Sequence, residues 1–478
     1  MSESNRESVL LWFRLDLRLA DNPALNAAVA TGLPILPVFL WSPDEEIPWA
    51  GGAASRWWLH QSLMRLDESL RKKGSRLIVR RGPVEDRLAA LAAEAGARQV
   101  FCNRVYEPRA LEAETRIEEA LGSTGIAMES FNGSLLFEPG SIRTTSGGAF
   151  QVFTPFWRAL WNQRGALRSA TKAPAAIAAP RSWPESLKIA DLELEPKIDW
   201  PAGLRARWTP GEEAARSRLR EFASGAVNEY GEERDRPNHE GTSRLSPHLH
   251  FGEAGPLQVW SAICEEPAAE SYLRQLAWRE FAYHLLAKHP RTLTGPFNAE
   301  FRGFPWRRNA RRLEAWQRGR TGYPFVDAGM RELWATGWMH NRARMVAASF
   351  LVKHLLIPWQ DGAAWFLDTL VDADLANNTM GWQWVAGCGV DAAPYFRIFN
   401  PVLQGKKVDP DGEYVRRWVP ELRGLQPQWI HEPWMAPPLV LAGAGIAPGE
   451  TYPLPIVDHA EARAAALAAF GEMKGNRK

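Results

Sequence analysis

The first 131 residues constrain the fold most, because short apolar runs alternate there with segments of helical period. Val9 to Arg14 (VLLWFR), Ile35 to Trp41, Arg76 to Arg81, Val100 to Asn103 and Ile126 to Phe131 have the length and content of strands. Between them, Asn22-Pro23 opens a helix through Ala30, with proline in its first turn. Ser55 to Arg71, Val84 to Ala95 and Arg109 to Leu121 are helical by period. Strand alternating with helix predicts a parallel, doubly wound sheet. No GxGxxG follows the first strand and no GxxxxGK[ST] occurs, so the shape is Rossmann-like without the dinucleotide fingerprint.

From about Gly140 this pattern dissolves. Residues 165–205 are rich in Ala and Pro and read as a linker lying on the surface. From Thr209 onward helical periods dominate, and no internal repeat is present. The expected architecture is an α/β domain (residues 7–135), an interdomain linker (136–208) and an all-α domain (209–478).

Composition excludes several classes. The 478 residues suffice for two or three domains, and 45% hydrophobic content is ordinary for a globular chain. Cys102, Cys264 and Cys388 are widely spaced with no CxxC, which argues against a disulfide framework or zinc site and for a reducing, cytoplasmic setting. The N-terminus lacks a signal peptide's apolar core. The longest apolar run, Met345 to Ile357, is broken by Lys353 and His354 and is too short to span a bilayer. The net charge of +2 is uninformative, but seven arginines against two glutamates between Glu300 and Arg320 make that stretch locally basic. The 23 tryptophans are more than packing alone asks for, leaving room for stacking and electron transfer.

Asp372 to Trp384 (DADLANNTMGWQW) is the most unusual motif. Asp374, Asn378 and Trp382 are four apart and would share one helix face, with Asp372 and Trp384 flanking it. A flavin would suit a carboxylate, an amide and an indole looking one way, although an amphipathic helix with polar caps explains the spacing equally. Glu240 to Pro247 (EGTSRLSP) gathers hydroxyls and N–H groups before a helix, with Ser246-Pro247 as N-cap and N1, and could hold a diphosphate or simply cap the helix. Gln275, Trp278 and Arg279 fall on one helix side, and Asn341, Arg344 and Met345 lie together after Gly337. Each reads equally as core packing with surface arginines.

Taken in order, GTSRLS, WREF, TGWMHNR, DADLANN, GWQW and DAAPYFRIFNP, together with LWFRLDLRLADNPAL at residues 11–25, closely resemble the DNA photolyase and cryptochrome family. The resemblance covers nearly the whole chain. It implies FAD in the helical domain, bound by Tyr230, Thr242, Ser243, Arg244, Leu245, Ser246, Arg279, Arg344, Asp372, Ala373, Asp374 and Asn378. In this reading Asn378 faces flavin N5 and Arg344 pairs with Asp372. An amide can present either oxygen or nitrogen as the redox state changes, and a buried anion needs donors and a nearby cation. Trp382, Trp359 and Trp306 match the family's electron-relay indoles.

The implied partner is UV-damaged DNA. Trp278 and Trp384 would stack on the damaged pyrimidines, Asn341, Met345 and Gln275 would contact the lesion, and Arg342 the backbone. Arg234, Arg397, Gln404 and Lys406 or Lys407 would hold flanking phosphates, giving affinity that depends on salt more than on sequence. The implied chemistry is blue-light splitting of cyclobutane dimers by electron donation, with no net redox change. Relatives that repair the (6-4) photoproduct carry two histidines where this chain has Asn341 and Met345. Cyclobutane-dimer enzymes usually have Glu where Gln275 stands, so this chain is expected to bind lesions normally and split them at lower yield.

WSPDEE at residues 41–46 and GAASRWWL at 52–59 look like the class III photolyases and plant cryptochromes. This implies a methenyltetrahydrofolate antenna near Trp41, Glu45, Glu46 and Trp57, since indoles and acids suit a cationic pterin. The Asn-Glu pair of the other folate-binding branch appears here as Arg109-Ala110. A cryptochrome signalling to a protein partner is the alternative function, and the absence of a long tail after GEMKGNRK argues for repair. A monomer without metal is expected.

Overall fold

The computed structural model describes residues 8–43, 51–392 and 396–475. The chain divides into two compact units: Met1–Trp200 with Trp208–Asn228 and Ser243–Pro290, and Pro201–Arg207 with Glu229–Thr242 and Arg291–Lys478.

The first unit is built on five parallel strands in the order β3-β2-β1-β4-β5. They are β1 (Val9–Phe13), β2 (Ile35–Trp41), β3 (Ile78–Arg81), β4 (Gln99–Asn103) and β5 (Ala127–Phe131). Every residue of β1 and β2 is buried, because helices cover both faces of a parallel sheet. Those helices are α1 (Pro23–Ala30), α2 (Ala53–Arg71), α3 (Val84–Ala95) and α4 (Pro108–Ser123). Asn22 caps α1 by accepting Leu25 N–H, and Pro23 takes the position where a missing N–H costs nothing. The stretch read as a linker is tied to the sheet: Ile35 N–H donates to Ala178 O, and Leu187 N–H to Val79 O. Its Ile177, Leu192 and Leu194 are buried.

Strand order reverses between β1 and β4, the point where open α/β sheets usually take a nucleotide. Here side chains occupy it. Arg14 Nη2 donates to Glu114 Oε2 at 2.7 Å, and Arg104 Nε to Glu114 Oε1 at 3.2 Å. Asn103 Nδ2 donates to Asp16 Oδ2 at 2.6 Å and to Asn22 Oδ1 at 2.7 Å. Burial raises the cost of the Glu114 charge, but Arg14 and the hydrogen bonds outweigh it and hold the carboxyl below its usual value. That ionic filling accords with the missing glycine fingerprint. Among the later helices of the unit, α5 (Phe153–Gln163) and α6 (Glu270–Lys288) pack on each other.

The second unit is helical, and its one β pairing among the described residues is the isolated Pro448–Tyr452 bridge. Its core helices are α7 (Pro324–Thr336), α8 (Asn341–Ser349), α9 (Trp359–Thr369), α10 (Leu375–Ala386), α11 (Pro401–Val408) and α12 (His459–Gly475). A π-turn, Phe350–His354, continues α8, and such turns are frequent near functional sites. Gly337 ends α7 at φ 67°, beside Val371 and Leu204, where a side chain would be both strained and crowded.

Candidate functional site

In the second unit, α10 organises the polar groups. The helix starts one residue later than the four-residue spacing suggested. Asp374 is its N-cap, in extended conformation, and accepts the Asn377 N–H at 2.8 Å, so it stands at the helix end and not on the shared face. A short carboxylate before a helix is worth more as a cap than as a first-turn residue. Upstream, the Arg344 guanidinium clasps both oxygens of Asp372 at 3.0 and 2.8 Å and spends its Nε on Met339 O at 2.7 Å. Asn378 donates from Nδ2 to Ala363 O at 3.0 Å, which fixes its amide and keeps its oxygen available.

Trp382 points into the core and is 2% exposed. Its ring meets Phe366 edge-on at 5.0 Å and Trp316 at 6.1 Å. Its Nε1 has no hydrogen-bond partner among the described residues, whereas Trp316 Nε1 donates to Ala347 O at 2.9 Å. A buried N–H left unpaired costs about 1–3 kcal/mol. Trp359, at the start of α9, is equally buried, while Trp306 is partly exposed and packs on Phe304 at 4.4 Å. A second indole pair, Trp334 and Trp365, stacks at 5.9 Å with Trp334 largely exposed; sequence reasoning missed it because neither lies in a motif.

The residues expected at the lesion form local pairs. Asn341 Nδ2 lies 3.7 Å from Met345 Sδ, one turn along α8. Arg342 makes a fork onto Asp235, Nε to Oδ1 at 2.8 Å and Nη2 to Oδ2 at 2.5 Å. Burial works against the Asp235 charge, but Arg342 and Arg234 hold its carboxyl below the usual range. Arg234 lies over the Tyr230 ring. Trp384 donates from Nε1 to Asp391 O at 3.1 Å and, with Lys353, Arg397 and Phe399, lines a small cavity. Lys406 is paired with Glu432, and Gln404 belongs to the same helix, α11. Thr242 and Ala373 also belong to this unit.

In the first unit, Ser243, Arg244 and Leu245 are buried and Ser246 is exposed. The short helix here begins at Ser246, so Leu245 and not Ser246 is the cap residue, and no side chain caps it. Ser243 Oγ instead accepts the Leu245 N–H at 3.2 Å and bonds Tyr272 OH at 2.7 Å. Arg244 sits at φ 52°, a strained conformation for a non-glycine residue that marks functional turns more than plain ones. On α6, Arg279 donates to Ser134 O at 2.6 Å and Gln275 folds back onto Ser271 O at 3.2 Å. Trp278 stacks face to face on Phe153, centroids 3.7 Å apart and planes within 8°.

Trp41, Arg56, Arg81, Glu195 and Trp200 line a cavity of about 280 Å³ in the same unit. Glu195 and Trp200 come from the stretch read as linker, so no local motif announced them. Trp57 is buried against Trp58, and Glu45 and Glu46 lie outside the described residues. Among the described residues no three His, Cys, Asp or Glu side chains group to hold a metal, and no helix is long and apolar enough to cross a membrane.

Two family models match the chain: DNA photolyase over residues 9–177 and the FAD binding domain of DNA photolyase over residues 272–472. A deoxyribodipyrimidine photo-lyase from Agrobacterium fabrum is 48% identical over 98% of each chain. The crystal structure of a bacterial class III photolyase from Agrobacterium tumefaciens superposes with a TM-score of 0.95 at 46% identity, over 99% of both chains. Cryptochrome-1 of Arabidopsis thaliana is 41% identical over 97% of this chain and 70% of its own. The chain belongs to the DNA photolyase and cryptochrome family, and within it stands with the class III photolyases.

Proposed function

We propose that this chain is a blue-light photolyase that splits cyclobutane pyrimidine dimers in DNA. The observation that carries the reading is the full-length match to an Agrobacterium photolyase, closer than the match to plant cryptochrome. The residues suit FAD: the unpaired Trp382 N–H, the anchored Asn378 amide and the Arg344–Asp372 pair are donors and a charge that a planar ring with polar edges would complete. When bound, the flavin supplies the light absorption and the electron that opens the dimer and is then regained. Arg344 stabilises negative charge nearby, and Asn378 holds its amide ready for either hydrogen-bond role. Trp382, Trp359 and Trp306 refill the electron supply from outside, one indole to the next. Trp278 and Trp384 offer aromatic faces to a flipped-out lesion, whose extrusion costs about a few kcal/mol, as base flipping does for photolyases in general. Arg234, Arg342, Arg397, Gln404 and Lys406 or Lys407 engage phosphates. Tyr230, Thr242, Ser243–Ser246, Arg279 and Asp372–Asp374 hold the cofactor.

For the antenna we favour methenyltetrahydrofolate in the cavity of Trp41 and Trp200, where indoles can cover a cationic pterin and Arg56 and Arg81 can meet its carboxylates. We place the protein in the cytoplasm as a monomer, in the three-part arrangement of an α/β domain, linker and helical domain. The test is blue-light repair of oligonucleotides carrying a cyclobutane dimer or a (6-4) photoproduct, with a dark control. Repair of the first alone is expected; a yellow protein that leaves both lesions intact in light rejects the reading.

A further inference from the structure

We infer that Gly362 is a positioning residue for the inner indole of the electron relay, a role that rests on the relay reading above. Gly362 lies inside α9, three residues after Trp359, at an ordinary helical conformation. Nothing in the backbone there asks for glycine, which is among the poorest helix formers at an interior position. What asks for it is space. A Cβ built on Gly362 would lie 2.5 Å from Cζ3 of Trp382, closer still to Cη2, and 2.6 Å from Leu351 Cδ2. The Trp382 ring therefore rests on the bare backbone of α9. Side chains three apart on a helix are neighbours, and each leans toward the helix N-terminus. The missing side chain thus seats Trp382 on α9 next to the turn that carries Trp359. The same helix fixes Asn378 through Ala363 O, the residue after the glycine.

The consequence is specific to electron supply. In photoreduction one electron leaves Trp382 for the oxidised cofactor, Trp359 refills Trp382, Trp306 refills Trp359, and an added thiol refills Trp306. Each transfer depends steeply on placement, and a misplaced ring loses rate without losing the fold. Repair by enzyme already reduced with dithionite does not draw on this supply.

The experiment compares wild type, Gly362→Ala and Trp382→Phe, each loaded with FAD. Photoreduction with thiol under blue light and flavin fluorescence are followed, and repair by dithionite-reduced protein is measured alongside. Gly362→Ala is expected to photoreduce about an order of magnitude more slowly, with brighter flavin fluorescence and a smaller loss of dithionite-supported repair. Photoreduction at the wild-type rate in Gly362→Ala, beside a defective Trp382→Phe, overturns this inference alone. Normal photoreduction in Trp382→Phe overturns the relay reading and this inference with it. Because the methyl can also unfold the helix pair, the cycle is completed with the double variant, whose smaller ring vacates the space. Gly362→Ala should lower Tm by several degrees in wild type and by less than half as much on the Trp382→Phe background. Equal losses on both backgrounds overturn the inference.

Discussion

The switch point of the sheet and the start of α10 handle buried polarity in opposite ways. At the sheet, Glu114 faces two arginines, Arg14 and Arg104, and Asn103 binds both Asp16 and Asn22. Charge meets charge there, and among the described residues of this cluster Arg14 Nε is the buried polar atom left without a partner. Around α10 the accounting is left open: Trp382 keeps an unpaired N–H, and Asn378 uses one donor of its amide. The charges at the sheet are matched within the chain, whereas the free hydrogen-bonding capacity around α10 is what the cofactor proposed above would take up.

The sharpest way to break this contrast is Arg344→Ala. Asp372 is 4% exposed at its side chain and would lose its cation, at a cost of about 3 kcal/mol. If the pair serves the cofactor, the flavin-to-protein absorbance ratio of the purified variant collapses together with Tm. Full flavin content at a lowered Tm would make this pair merely structural, like its counterpart at the sheet.

Glu114→Gln is the reciprocal test. Arg14 and Arg104 would face an amide, and about 2 kcal/mol of stability should go while flavin content and repair persist. The acid limb gives a second handle. The Glu114 carboxyl is held below the ordinary glutamate value of 4.5 by its arginines against the cost of burial. Its contribution is therefore complete above that value and fades as pH falls through the lower folded-state value. Wild type should lose Tm more steeply than Glu114→Gln on acidification below about pH 4.5, and parallel curves would refute the assignment.

The same contrast explains what the sequence disclosed. β2, α1 and α3 fall where the apolar periods place them, since Ile35–Trp41 is buried on both faces and Asn22 and Gly96 punctuate helices locally. Matched charges leave no such mark: Arg14 and Glu114 are 100 residues apart, and Arg342 and Asp235 are 107 apart. Phe153 under Trp278 and Trp200 beside Trp41 are likewise products of folding, carrying no period or motif. Motif resemblance supplied the names of site residues, but not the Asp374 cap or the space at Gly362, which depend on where one helix begins and what another leans on.

Asp235→Asn probes an intermediate case, a charge pair that is half exposed. Its stability effect should stay under about 1 kcal/mol, because water screens the pair. Its effect on DNA should be larger. With the carboxylate gone, Arg342 is free to neutralise a phosphate, so undamaged duplex binds more tightly and log K falls more steeply with log salt, by about 0.9. An unchanged salt slope in titrations across salt concentrations would mean that Arg342 does not reach the backbone.

The smallest expected effect is at Gln275. Its Nε2 donates to Ser271 O within its own helix, a bond that a glutamate cannot make. Gln275→Glu should therefore release the side chain from Ser271 and turn a negative oxygen outward. An amide can hydrogen-bond a pyrimidine carbonyl but offers no charge or proton to the opened dimer, whereas a carboxyl group can. The variant should bind dimer-containing DNA with nearly wild-type affinity and raise the yield of repair per absorbed photon by less than about threefold, a margin under 1 kcal/mol. The measurement is actinometry on dithionite-reduced protein, which removes the tryptophan relay from the comparison. A yield identical to wild type would show that glutamine at this position costs the reaction nothing, and that the side chain serves lesion binding alone.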